Sequence, residues 1–115
     1  MHEVSIVSDM LNIVYENVQL HNMKSINKIV IKVGEFTCIN ESSLRFAYEC
    51  LCKNTICENV KLEIKKIKAS AYCNNCRKIF NISYTNRVCP ICNKFSKNVV
   101  TGDELTVDSI EGEQK

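Results

Sequence analysis

CNNCRKIFNISYTNRVCPIC, residues 73–92, carries two Cys-x-x-Cys hooks, Cys73/Cys76 and Cys89/Cys92, with twelve residues between them. Each hook can present two sulfurs to one ion, and two hooks supply the four soft ligands that tetrahedral zinc takes. Phe80, Ile82 and Tyr84 alternate between the hooks like one arm of a short hairpin. That stretch is too small to bury a core of its own, so a bound ion stands in for the missing core. Four protein sulfurs leave no position open for water or substrate, which makes the expected zinc structural and not catalytic. A Cys-x-x-Cys pair can also exchange disulfides, but neither hook here opens a helical pattern of the thioredoxin kind.

Outward from the hooks the pattern is that of a small layered fold. Val4, Val7, Leu11, Val14 and Val18, joined by Met10, mark one face of a helix running from Val4 to about His21. Asn27 to Val33 alternates as a strand, with Ile29, Ile31 and Val33 on one side and Lys28 and Lys32 on the other, and Gly34 ends it. Asn40 can cap a second helix reaching about Lys53, with Leu44, Ala47, Tyr48 and Leu51 on its inner face. Val60, Leu62 and Ile64 alternate with Lys61, Glu63 and Lys65 as a strand with one wet face. After the hooks, the turn Thr101-Gly102-Asp103 leads to a last strand with Leu105 and Val107 on one side. The fold expected is α+β: a small three-stranded sheet with two helices and an inserted four-cysteine zinc-ribbon lobe. Residues 1–68 with 99–115 make one domain of this reading and residues 69–98 the zinc-binding one.

Composition narrows the function classes. The 115 residues are 45% hydrophobic and 24% charged, with one proline and three glycines, so the chain is neither low-complexity nor a flexible linker. It offers no basic leader with a following apolar stretch and no run of about 20 apolar residues, which points to a cytoplasmic protein without a membrane partner. Eight cysteines in such a chain read as metal ligands or buried small hydrophobes before disulfides. Cys38, Cys50, Cys52 and Cys57 fall in the second group, since Cys50 and Cys52 point to different faces of one helix. Nine of the fifteen Lys and Arg lie between residues 61 and 97 with one acid, Glu63. This basic stretch, with Tyr72, Phe80 or Tyr84 as stacking surfaces, raises the alternative of a zinc-ribbon adaptor for nucleic acid or protein. The formal charge argues against nucleic acid: four thiolates outweigh one divalent ion by two, which brings the chain's +2 to zero.

The N-terminus holds a second candidate site. A bulky His2 keeps the initiator Met1 in place, and the Met1 amine, the His2 amide nitrogen and the His2 imidazole can close fused chelate rings on one ion, with Glu3 beside them. Square-planar nitrogen and oxygen donors suit nickel(II) or copper(II). The plain alternative is a solvated histidine followed by a first-turn acid. His21 reads as a helix-end cation.

Met1-His2-Glu3-Val4-Ser5 opening a helix, Val33-Gly34-Glu35 ending a strand, and two Cys-x-x-Cys hooks followed by Thr101-Gly102-Asp103-Glu104-Leu105 together resemble the HypA/HybF family of nickel-insertion accessory proteins. The likeness runs through nearly the whole chain in order. It implies a metallochaperone, not an enzyme, that delivers Ni2+ to the large subunit of [NiFe]-hydrogenase with an accessory GTPase, and in some members serves urease. It places nickel on His2, with backbone nitrogens and Glu3 beside it, and Zn2+ on the four hook cysteines. Some relatives add a carboxylate from the loop before the second helix, where this chain has Asn40 and Glu41; Asn40 then competes with its own role as helix cap, and Glu41 suits the positive helix end. A monomer and a homodimer are both compatible with the family.

Overall fold

The computed structural model describes residues 2–115, apart from the side chain of His2. Helix α1 spans His2–Leu20, strand β1 Met23–Gly34, helix α2 Glu41–Cys52 and strand β2 Lys61–Ile67. Three short strands follow, β3 (Ser70–Cys73), β4 (Lys78–Asn81) and β5 (Val99–Thr101), and then β6 (Leu105–Gln114). They form two three-stranded sheets, ordered β2-β1-β6 and β4-β3-β5. The first is the sheet expected from the alternating patterns. The second was not expected as a sheet.

By packing, the chain divides into two compact units: residues 1–32, 39–65 and 106–115, and residues 33–38 with 66–105. In the first, α1 and α2 pack together, and Val7, Met10, Leu11 and Val14 bury against the same core as Leu44, Ala47, Tyr48, Ile29 and Ile31. Val4 and Leu51, expected on the inner stripes, are exposed instead, at 47% and 38%. Val4 is in the first turn of α1, and on α2 Cys52 takes the inward position that Leu51 would have filled. Asn40 caps α2 as expected, its side-chain oxygen accepting from Ser43 N at 2.9 Å. The outer face of the sheet carries a ladder of ion pairs. Lys24 meets Glu113, Lys28 meets Glu63 and Glu111, and Lys32 and Lys65 both meet Asp108, at 3.3–3.5 Å. Gly34 N donates to Glu104 O and Lys115 N to Asn22 O, so β1 and β6 run antiparallel from end to end.

The second unit has its own small core of Ala69, Ala71 and Ile82, with Phe36, Phe80 and Val99 packed on it. Strand β3 pairs antiparallel with β4, Ser70 opposite Asn81 and Cys73 opposite Lys78, and with β5 through a bulge at Ser70/Ala71. The hairpin expected between the hooks is therefore displaced. Its first arm ends at Cys73 and its turn is the first hook itself, while Ile82 and Tyr84 lie beyond β4. The inner positions of β3 are Ser70, Ala71 and Cys73, all buried but small, so they leave no hydrophobic alternation to read.

Two sequence motifs meet inside this unit. A Cβ on Gly34 would stand 2.1 Å from Gly102 O, and Gly102, at φ +127°, has room only for its own hydrogens beside Ala69. This contact lets Phe36 N and Gly34 N donate to Gly102 O and Glu104 O, each at 2.7 Å. The carboxylate of Glu35 accepts from Ala69 N at 2.8 Å and that of Glu104 from Gly102 N at 2.7 Å. Val33-Gly34-Glu35 and Thr101-Gly102-Asp103-Glu104 are thus one interlocked backbone joint.

Candidate metal centre

The two hooks are built alike. Arg77 N donates to Cys73 O at 2.7 Å and Asn93 N to Cys89 O at 2.8 Å, so each Cys-x-x-Cys turn closes on the residue after its second cysteine. Those two residues adopt the left-handed conformation, with φ 56° and 60°, which asparagine accepts readily and arginine less so. Cys76 N points at Cys73 Sγ, 3.4 Å away. Neither hook leads into a helix, which removes the geometry of a thioredoxin-like site.

The sulfurs of Cys73, Cys76, Cys89 and Cys92 all lie within 4.8 Å of one another. Cys73 and Cys92 are 3.6 Å apart, Cys76 and Cys89 3.9 Å. Four sulfurs about 2.3 Å from a tetrahedral ion stand about 3.8 Å apart, so the cluster has the dimensions of a zinc–thiolate site. Cys73 and Cys89 are buried and their hook partners half-buried. The sulfurs also interact as titratable groups. Desolvation, followed by its three sulfur neighbours, pushes the Cys76 thiol up to about 12. The backbone N–H of Lys94, then Cys73, Asn75 and Cys76, bring Cys92 down to about 6. Four thiols this close cannot all ionise unaided, and a divalent cation is what allows them to.

A supporting layer holds the hooks, and little of it was visible in sequence. Cys89 N donates to Lys94 O at 3.0 Å, Val88 bridges to Phe95, and Ser96 Oγ donates to Tyr72 O at 2.6 Å. Isolated polar residues such as Ser96 carry no spacing signal.

Four of the residues read as a basic, stacking interface, Lys65, Arg87, Tyr84 and Phe80, have contacts of their own. Lys65 is paired with Asp108, and the Arg87 guanidinium sits 5.1 Å from the centroid of the Phe36 ring. Tyr84 packs on the same ring at 4.6 Å and donates to Phe36 O at 3.1 Å. Phe80 is part of the small core. Of the four cysteines expected to be buried, Cys52 and Cys57 are, whereas Cys38 and Cys50 are exposed. Cys38 sits at φ 57° after the turn of 3₁₀ helix Glu35–Thr37, its sulfur 2.7 Å from the Tyr84 hydroxyl.

Of the N-terminal candidates, Met1 and the His2 side chain lie outside the described residues. Glu3 is half-buried in the first turn of α1. Asn40 is occupied as the α2 cap, and Glu41 accepts from Arg45 Nε at 3.3 Å, an i,i+4 pair on the same helix.

The family model described as "Hydrogenase/urease nickel incorporation, metallochaperone, hypA" matches residues 1–112. The chain belongs to the HypA family. It is 33% identical to the hydrogenase maturation factor HybF of Escherichia coli O6:H1 over 98% of this chain and 100% of that protein. To HypA of the same strain it is 28% identical, with both chains covered in full. The solution structure of the Ni metallochaperone HypA from Helicobacter pylori superposes with a TM-score of 0.71 at 25% identity, each chain covered in full. A second HypA solution structure gives 0.72 at 27%, covering 100% of this chain and 98% of the other. Among the described residues, no helix of this HypA-family protein is long and apolar enough to cross a membrane.

Proposed function

We propose that this chain is a cytoplasmic nickel metallochaperone, holding Ni(II) at its N-terminus and handing it on during maturation of [NiFe]-hydrogenase. The observation that carries the reading is the family match over residues 1–112, which takes in the Met1-His2-Glu3 start and both cysteine hooks. The donors are the Met1 amine, the His2 amide nitrogen and the His2 imidazole, with Glu3 supplying the last position. Asn40 and Glu41 are weaker candidates for it, because each already has a partner on α2. Square-planar nitrogen and oxygen ligation at a chain end suits nickel and leaves its faces open. Ligands of a partner can then replace the donors one at a time, so the work is transfer and involves no catalysis. The partners are an accessory GTPase and the hydrogenase large subunit; service to urease follows from the family description alone.

Zinc fills the four-cysteine cluster as a closed structural ion. It fixes both hooks and thereby the surface of the domain at residues 69–98, while the domain of residues 1–68 with 99–115 carries nickel. The test is nickel titration of the untagged, zinc-loaded chain against His2→Ala and against a chain with one extra residue before Met1. Both variants lose nickel binding with zinc content unchanged; binding equal to that of the parent chain overturns the assignment.

A further inference from the structure

The chain around the hooks is charged one way. Residues 64–102 hold eight Lys and Arg and not one Asp or Glu, and the two negative charges of a loaded zinc–thiolate cluster do not cancel them. Lys24, Lys28, Lys32 and Lys65 are locked into ion pairs across the first sheet. Lys94 and Lys97, by contrast, have no side-chain partner among the described residues, and neither have the side-chain amides of Asn74 and Asn98. These four side chains border one cavity of about 450 Å³, with Asn75 and Phe95 completing its rim.

One wall of the cavity is pinned from behind. Ser96 is buried, its N donating to Arg87 O at 3.0 Å, while its Oγ donates to Tyr72 O at 2.6 Å and accepts from Asn98 N at 3.3 Å. With Ser96 turned inward, its neighbours Phe95 and Lys97 are exposed. The other wall belongs to the first hook, and the two are held together where the Cys73 and Cys92 sulfurs stand 3.6 Å apart. The cavity therefore exists while the four-cysteine cluster is closed. Phe95 also has an apolar neighbour outside the cavity. Val88 is its antiparallel bridge partner, and residues directly opposite in such a pair share a face. Phe95 is 61% exposed, Val88 38%, and Ile91, in the loop between them, 63%.

We infer that this face captures an acidic segment of another protein. A carboxylate side chain enters the cavity, held by the ammonium groups of Lys94 and Lys97 and by amide hydrogens of Asn74 and Asn98, and an apolar side chain beside it lies on Phe95 and Val88. The donor set decides the sign of the ligand: an ammonium group donates and cannot accept, and its bonds to an ionised oxygen are the strong ones. The apolar part decides its class. Single-stranded nucleic acid is held by aromatic rings on which bases stack. Here Tyr84 lies on Phe36 and Phe80 is taken into the small core, while Val88 and Ile91 have no ring to offer. A peptide with an acid next to a leucine or phenylalanine satisfies both halves at once. The structural metal then has a share in partner choice, since it keeps both walls of the cavity in place.

The test is an NMR titration of the full, zinc-loaded, nitrogen-15-labelled chain in about 0.15 M salt, which screens loose attraction between exposed charges. No nickel is added, so the outcome is separate from that of the chain-end assignment. The probe is the blocked peptide Gly-Asp-Leu-Asp-Phe-Glu-Gly, taken to about 5 mM so that binding near about 1 mM is seen. Saturating shifts are expected at residues 74, 75 and 94–98 and at the side-chain amides of Asn74 and Asn98, with α1 and α2 unmoved. The double variant Lys94→Gln/Lys97→Gln and the single variant Phe95→Ser each weaken binding about tenfold or more with zinc content unchanged; all three side chains are exposed, so the fold survives their replacement. Absence of shifts at those residues overturns the inference, as does equal binding of a peptide with lysine in place of its acids or serine in place of its Leu and Phe. Tighter binding of an oligothymidylate than of the acidic peptide at the same residues overturns it in favour of nucleic acid.

Discussion

Replacing Gly34 by alanine strikes the joint where the two motifs interlock. At φ −74° the residue has an ordinary backbone, so the penalty is not conformational. It is steric: the new methyl would stand 2.1 Å from Gly102 O and 2.7 Å from Asp103 N. Both obstacles are backbone and cannot swing away as a side chain could. The segments must separate by more than an ångström, which breaks the bonds Gly34 N to Glu104 O and Phe36 N to Gly102 O, both 2.7 Å long. Two hydrogen bonds at about 1 kcal/mol each, with about 1–3 kcal/mol for the forced displacement, give a loss of about 3–5 kcal/mol. Against a typical total of about 5–15 kcal/mol this is severe. At about 4 °C per kcal/mol it corresponds to a fall of about 12–20 °C in melting temperature. The assay is thermal unfolding by far-ultraviolet circular dichroism, with zinc saturating and equal in both samples because bound metal adds to apparent stability. A shift below about 2 °C would refute the close backbone packing.

Asn40→Ala removes the cap on α2 and costs about 1 kcal/mol in denaturant unfolding, with nickel titration unchanged; weakened nickel binding at unchanged stability would instead make Asn40 a ligand. Cys89→Ser, or stripping with a strong chelator, abolishes zinc stoichiometry and loosens residues 66–105, seen as collapsed amide dispersion there by NMR with α1 and α2 signals retained. Zinc affinity falls as pH is lowered, because protons compete for the four sulfurs; a titration flat over about two pH units, from about 7.5 to about 5.5, would contradict thiolate ligation. Asp108 is held below the usual carboxylate range, chiefly by its hydrogen bond to Lys65 and then by Lys32. A depressed carboxyl contributes stability that is full above about pH 4 and lost as pH falls through its folded value, so Asp108→Asn flattens the acid limb of urea stability below about pH 4.

What was legible in the sequence, and what was not, follows the physics of each element. Helices and long strands with one dry face leave a period, and α1, β1, α2 and β2 were read from theirs, as was the Asn40 cap. Strand β6 runs on to Gln114 alongside β1, with Lys115 N donating to Asn22 O, a tertiary pairing that apolar alternation does not record. Strands β3 to β5 are three or four residues long, too short for a period to stand out, and the buried positions of β3 are filled by small Ser70, Ala71 and Cys73. The four-sulfur cluster was fully legible, since ligand spacing is set by local turns. Its supports, Ser96 and the Lys94 backbone, depend on folding across 24 residues and on main-chain atoms common to every sequence. The glycine joint was quoted as two separate motifs; that Gly34 and Gly102 touch is visible only in three dimensions.

The central claim concerns the chain end, and isothermal titration of nickel(II) into the untagged, zinc-loaded protein and its His2→Ala variant tests it most directly. One nickel per parent chain is expected, none in the variant, and the same zinc content in both. Equal nickel binding by the two would contradict it.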